Sequence, residues 1–290
     1  MIFIPERRHC DDELMDELSS VVSKAGAAVL AARARPLDAK NKADQTPVTA
    51  ADHASEAVLL QGISRLLPGV AILSEEQMPE SSPCKPVAGN FVLVDPLDGT
   101  RELLAGRDEF TINVAVADGA GPWLGIVAAP AHGLLWRGVA GRGAERLVLA
   151  AGAPASAAES RAPIHARPCP RSGLIAAVSR SHLDAQTASF LASLPLSHQV
   201  ACGSAVKFCY VAEGKADVYP RLSTTCEWDV AAGHAILLAA GGMVTTPEGG
   251  IPSYGRADRD FRVPGFIAWG DPAAASALGG AKPGGAALRT

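Results

Sequence analysis

The segment Val94-Asp95-Pro96-Leu97-Asp98-Gly99-Thr100 sets two carboxylates three positions apart around a proline, directly after the apolar run Phe91-Val92-Leu93-Val94. Proline fixes its own φ and glycine permits a tight turn, so both carboxylates and the Leu97 carbonyl can be brought to one side. Hard divalent cations take oxygen ligands of this kind, and Mg²⁺ keeps waters and phosphate oxygens among its remaining partners. A helix beginning near Gly99–Thr100 would turn free N–H groups toward the same spot and favour a phosphate there. The Thr100 hydroxyl is then placed to orient an attacking water. Asp, Pro and Gly are also what ordinary turns prefer, and this segment alone does not separate the two readings.

Further acids occupy comparable places. Glu75 and Glu76 follow the short apolar run Val70–Leu73, and adjacent acids repel unless a cation or solvent relieves them. Asp229 stands at the start of an expected helix, where it serves equally as a cap for free N–H groups or as a ligand. Asp52 opens a second helical pattern and carries the same two readings.

Taken in order, the Glu75-Glu76 pair, the D-P-L-D-G-T segment and Trp228-Asp229-Val230-Ala231-Ala232-Gly233 resemble the motifs of the inositol monophosphatase superfamily, the Mg²⁺-dependent, lithium-sensitive phosphomonoesterases. The resemblance runs from about residue 11 to about residue 270. It implies two or three Mg²⁺ per site, with Glu75, Asp95 and the Leu97 carbonyl on one ion and Asp95, Asp98 and Asp229 on another. It further implies that Glu75 and Thr100 activate the attacking water, with Asp52 a further catalytic acid. The amides of Gly99 and Thr100 would hold the scissile phosphate, and Asp229 would border the substrate.

The second half of the chain narrows the branch. Ser179-Arg180-Ser181-His182, Gly203-Ser204-Ala205-Val206-Lys207-Phe208-Cys209 and Ala212 to Arg221 resemble the 3′(2′),5′-bisphosphate nucleotidases of the CysQ type. So does Asp98-Gly99-Thr100-Arg101-Glu102-Leu103, with leucine where that branch commonly has an aromatic. The substrate so implied is adenosine 3′,5′-bisphosphate, a by-product of sulfate activation, cleaved to AMP and phosphate. A second phosphate needs cationic and hydroxyl partners, which Ser181, His182, Ser204, Lys207 and Arg221 can supply. Each has an ordinary alternative: Lys207 can snorkel from an apolar helix, His182 can cap the next helix, and Arg221 can pair with a surface acid. Lys42 is a phosphate-side charge or a solvated one. Two rival functions stand beside this reading, an inositol monophosphatase or broad sugar-phosphate phosphatase, and a non-catalytic metal- or nucleotide-binding regulator. Intact Glu75, Asp95, Asp98, Thr100 and Asp229 count against the regulator.

These residues need elements to position them. Helical spacing predicts helices over 11–34, 52–67, 183–194, 204–213 and 228–240. Apolar runs predict strands at 70–73, 91–94, 111–117, 124–128 and 134–139, the last three an antiparallel meander, then at 174–178, 198–202, 216–219 and 266–269. The Gly/Ala/Ser/Pro-rich stretch 151–172 reads as a connection, and the expected division is an N-terminal α+β half (1–165), a C-terminal α/β half (166–271) and a frayed Ala/Gly-rich tail (272–290). The resemblance implies a layered α/β (α+β) sandwich, α/β/α/β/α, with the site between the halves.

Composition bounds the rest. The 290 residues are 48% hydrophobic and 19% charged, values of a globular chain and not of a disordered one. A net charge of −4 speaks against a dedicated binder of nucleic-acid polymers. The Ala/Gly load suggests close helix–sheet packing. No run approaches the about 20 apolar residues of a membrane span, and the start lacks a secretory pattern. The six cysteines lack zinc spacing and read as reduced, so the cytoplasm is the expected compartment. A monomer or homodimer and a peripheral membrane contact both stay open.

Overall fold

The computed structural model describes residues 12–36, 39–41, 47–78, 87, 89–180 and 183–279. Helices α1 (Asp12–Arg33) and α2 (Ala50–Leu66) come first. Seven strands follow: β1 (Ala71–Ser74), β2 (Phe91–Asp98), β3 (Thr111–Asp118), β4 (Gly121–Ala129), β5 (Leu134–Val139), β6 (Gly143–Val148) and β7 (Ser160–Ile164). They form one sheet in chain order, with β1 and β2 parallel and every later neighbour antiparallel. A short helix, α3 (Thr100–Leu104), lies between β2 and β3.

The second sheet and its helices are β8 (Leu174–Ser179), α4 (Ala185–Ser193), β9 (Leu196–Cys202), α5 (Val206–Ala212), β10 (Val218–Arg221), α6 (Glu227–Ala239), β11 (Met243–Thr245), β12 (Phe266–Trp269) and α7 (Pro272–Leu278). Their sheet has the order β9-β8-β10-β12-β11. The β8 strand is parallel to β9 and β10, while β12 runs antiparallel to β10 and β11.

Strand alternation assigns each sheet two buried faces. On β2, Val92 and Val94 join the core under α1 and α2, while Phe91 and Leu93 join the core shared with α5, α6 and the second sheet. The second sheet sends Ala177, Tyr219, Phe266 and Ala268 to that same middle core. Its other face, with Leu174, Val178 and Trp269, is covered by Phe190 and Leu191 of α4 and by Ala274 and Ala275 of α7. The layers are therefore helix, sheet, helix, sheet, helix. Helix α6 is buried almost all round, as a helix between two sheets must be. A register row of small residues, Ala115, Gly125, Gly138 and Ala144, crosses the first sheet beneath it. A Cβ on Gly125 would stand 2.2 Å from the Ala232 carbonyl oxygen.

Several boundaries differ from the sequence expectation. Strands β6 and β11 were not foreseen, and β7 lies inside the stretch read as a connection. Strand β7 is an edge strand with a mostly exposed pattern, so it carries little apolar periodicity. The tail is helical over Pro272–Leu278, because Asp271 caps the first turn through Ala273 N–H and the alanines of that helix pack on the second sheet. Residues 280–290 lie outside the described residues, as do Lys42, Ser181, His182, Cys10 and Cys84. The cysteines at 169, 202, 209 and 226 are free thiols. No helix among the described residues is long and apolar enough to cross a membrane.

Candidate active site

The two acids of the D-P-L-D segment do not lie beyond the strand; Asp95 lies within it and Asp98 ends it. Asp95 pairs with Asn113 and Asp98 with Thr111, so β2 fits one more residue than β3 between those rungs. In a regular strand, positions three apart face opposite sides. The extra residue is a β-bulge, and it returns Asp98 to the side of Asp95. Packing records the phase change: Leu97 joins Val92 and Val94 in the core under α1 and α2. Both carboxylates then face the side where α6 lies. Gly99 follows with φ 97°, and Thr100 begins α3.

Oxygens of Glu75, Asp95 and Asp229 approach within 4.8 Å of one another, contributed by the end of β1, by β2 and by the first turn of α6. Asp95 is 1% exposed. Burial, then the charges of Glu75, Asp98 and Asp229, pushes its carboxyl well above the usual carboxylate range. Burial and Asp229 raise Asp98 to about 6, against the opposing pull of Lys207 and Arg221. Asp98 is also tied to α5 by the Ala205 N–H. Crowded, desolvated acids offering oxygen donors alone fit a hard divalent cation, and these residues with the Leu97 carbonyl would hold it.

Asp229 takes its cap reading and also stands among the clustered acids. Its Oδ2 accepts from the Cys226 N–H at 3.2 Å and from the Thr225 hydroxyl, closing the N-terminus of α6, while the same carboxylate belongs to the acidic cluster. Asp52 likewise does two things, although Thr49 and not Asp52 is the N-cap. Asp52 Oδ2 accepts from the Thr49 amide and hydroxyl, at 2.8 and 2.7 Å, and Oδ1 accepts from the Thr100 hydroxyl at 3.0 Å. The Leu97 carbonyl lies 3.2 Å from the same hydroxyl. Asp52 is not in the close carboxylate cluster; its reach into the site is through Thr100.

The cluster forms one wall of a cleft of about 380 Å³. The other wall carries Ser204, Lys207, Tyr219 and Arg221. Lys207 does not snorkel outward. Its buried Nζ turns back to donate to the Ser204 carbonyl at 2.6 Å and the Cys202 carbonyl at 3.4 Å, and lies 5.1 Å above the Tyr219 ring. Desolvation lowers its pKa. Among the described residues Arg221 pairs with no surface acid: it leans on Tyr219, and its buried Nε has no hydrogen-bond partner there. Ser204 holds φ 48°, unusual for a residue with a Cβ, and its buried Oγ is likewise unpartnered. Gly99 and Thr100 line the same cleft.

Sequence reasoning missed the residues that hold these groups in place. Asn113 Nδ2 donates to Asp95 Oδ2 at 3.3 Å, and the Ser55 hydroxyl donates to the Pro96 carbonyl at 2.7 Å. Asn113 had a legible signal, a polar residue inside an otherwise apolar strand. Ser55 and Thr225 had none, because their partners are set by tertiary packing.

The inositol monophosphatase family model matches residues 11–282. The CysQ 3′(2′),5′-bisphosphate nucleotidase of Shigella flexneri is 34% identical over 261 residues, covering 87% of this chain and 98% of that protein. The corresponding protein of Escherichia coli K12 is 35% identical over 255 residues, with the same coverage. Among solved structures, CysQ of Bacteroides thetaiotaomicron superposes with a TM-score of 0.73 at 30% identity, over 90% of this chain and 98% of that one.

Proposed function

The chain belongs to the inositol monophosphatase family, and we propose that it is a 3′(2′),5′-bisphosphate nucleotidase hydrolysing the 3′-phosphate of adenosine 3′,5′-bisphosphate to AMP and phosphate. The observation that carries this reading is the division of the cleft. A carboxylate wall of Glu75, Asp95, Asp98 and Asp229 faces a wall bearing Lys207, Arg221 and Ser204, two of whose buried polar atoms lack a partner. A monophosphate needs the first wall alone; a second phosphate can accept from the unpartnered Ser204 and Arg221 groups of the second. The CysQ relatives carry the same activity in their names.

Bound Mg²⁺, two or three ions per site, would neutralise the scissile phosphate and acidify an attacking water. The chain's own groups do the rest. Thr100 commits its proton to Asp52 or to the Leu97 carbonyl, so its lone pairs accept from the attacking water and aim that oxygen at phosphorus. Glu75 stands on the cluster side to take up the water's proton as the bond to the 3′ oxygen breaks, and that oxygen takes a proton from solvent water to become the 3′-hydroxyl of AMP. The amides of Gly99 and Thr100 hold the phosphate, while Ser204, Lys207 and Arg221, joined by Ser181 and His182, hold the nucleotide and its 5′-phosphate.

A phosphate-release panel tests the proposal. Adenosine 3′,5′-bisphosphate should be turned over in preference to inositol 1-phosphate and fructose 1,6-bisphosphate, with activity abolished by EDTA and inhibited by lithium. Preference for either sugar phosphate would overturn the substrate, and activity persisting in EDTA would overturn the metal dependence. Tight nucleotide binding with no turnover of any compound would point to a regulator.

A further inference from the structure

Glu109 belongs to neither wall of the cleft, yet both rest on it. It precedes β3, on the side of the first sheet, and its carboxylate receives a two-pronged contact from Arg180, which follows β8 of the second sheet. Arg180 Nε donates to Oε2 at 2.9 Å and Nη2 to Oε1 at 2.7 Å, while Nη2 also reaches the Ala201 carbonyl at 3.0 Å. The Glu109 backbone carbonyl is wedged between two glycines. A Cβ on Gly99 would stand 3.0 Å from it, and a Cβ on Gly203 would stand 2.8 Å from it. Gly99 adjoins Thr100 on the phosphate side, and Gly203 adjoins Ser204 on the nucleotide side.

Arg180 is 43% exposed and Glu109 27%. Ion pairs this open to solvent contribute little to stability. A bidentate fork does fix orientation, because two parallel hydrogen bonds allow one relative placement of the planes. We infer that Glu109 and Arg180 form a clasp setting the distance between the Gly99-Thr100 turn and the Gly203-Ser204 turn, which makes Glu109 a positioning residue for substrates that touch both walls. The inference rests on the proposed reading that the substrate carries a group on each side.

The test is a double-mutant cycle with Glu109→Ala, Arg180→Ala and the pair, assayed on adenosine 3′,5′-bisphosphate and on p-nitrophenyl phosphate, with thermal unfolding of each protein. Each single variant should raise KM for the bisphosphate about tenfold, and the double variant no further, since the two side chains act as one unit. The kcat should stay within about twofold, and the aryl phosphate, which has nothing to place on the second wall, should lose no more than about twofold in kcat/KM. Losses that multiply in the double variant, an unchanged KM, or equal losses on both substrates would overturn the clasp. A wild-type enzyme inactive on the bisphosphate would instead sink the functional reading, and the clasp would then stand or fall on the same cycle run with the enzyme's preferred substrate.

Discussion

The Thr100 hydroxyl lies 3.0 Å from Oδ1 of Asp52, on a carboxylate whose other oxygen already accepts the amide and hydroxyl of Thr49. One side chain thus closes the first turn of α2 and fixes the direction of a hydroxyl at the mouth of the acidic cluster. The capping box that folds the helix also orients the group proposed to aim the water.

Removing that hydroxyl separates orientation from folding. Thr100→Ala should lower kcat by about 10²–10³ with little change in stability, and Thr100→Ser should keep most of the activity. Asp52→Asn should lower kcat to a similar degree and also cost about 1 kcal/mol through the weakened cap. Steady-state kinetics beside urea unfolding separates the two effects. A Thr100→Ala enzyme with wild-type kcat would remove Thr100 from the chemistry.

The acidic wall gives a second expectation. Asp95→Asn should lower Mg²⁺-dependent turnover at least about 10³-fold, because the position faces Glu75, Asp98 and Asp229 together. The metal-free protein should become no less stable, since the substitution removes a buried like charge. Differential scanning calorimetry in EDTA checks this, and a large loss of stability there would show that the hydrogen bonds Asp95 accepts from Asn113 and the Leu97 N–H outweigh the relief of charge crowding.

The D-P-L-D-G-T segment made the site legible because its residue types combine oxygen donors with a turn, and Leu97 betrays the bulge only once the register is known. Apolar runs made the meander and the later alternation of strands and helices legible, while the layered order came from the family resemblance. The Ala/Gly load announced close packing without saying where. Lys207 and Arg221 were visible as cations, but their inward turn depends on Tyr219 and the Cys202–Ser204 backbone meeting in space. Edge strand β7 and helix α7 lacked the periodicity that reports burial of a single face. Glu109 and Arg180 lie 71 positions apart, and nothing local in either segment pairs them.

Proton competition sets the pH dependence. Asp98 is raised to about 6 in the folded metal-free protein and Asp95 is raised as well, both above their unfolded values near 3.8. The folded state therefore binds more protons than the unfolded one in this window, so these groups favour the metal-free fold at low pH and oppose it as pH rises through about 6. A divalent cation reverses the penalty by pairing the ionised forms. Mg²⁺ should raise Tm at pH 7.5 and progressively less as pH falls below about 6, in parallel with loss of Mg²⁺ affinity. Calorimetry with and without Mg²⁺ across pH 5–8 checks the sign, and a Mg²⁺ effect on Tm that grows toward pH 5 would contradict it.

The small-residue row under α6 makes a prediction about how the fold serves the site. Gly125 and Gly138 sit opposite each other on β4 and β5, and a methyl group on Gly125 would press on the Ala232 carbonyl at 2.2 Å and the Ala235 Cβ at 3.0 Å. Neither the sheet nor the buried helix can yield without displacing the other face of α6, which packs toward the second sheet. Gly125→Ala should therefore cost about 1–3 kcal/mol by overpacking. Asp229 stands on the first turn of that helix, so a shift of α6 also moves one carboxylate of the cluster relative to Glu75 and Asp95. The variant should consequently need more Mg²⁺ for half-maximal activity at temperatures where it is fully folded, while Gly119→Ala, at an exposed position just before the same strand where a Cβ would meet nothing within 4 Å, should leave the Mg²⁺ requirement unchanged. Unfolding in urea together with Mg²⁺ titration of activity tests both parts. A Gly125→Ala protein that loses stability but keeps its Mg²⁺ requirement would mean that α6 yields only beyond its first turn.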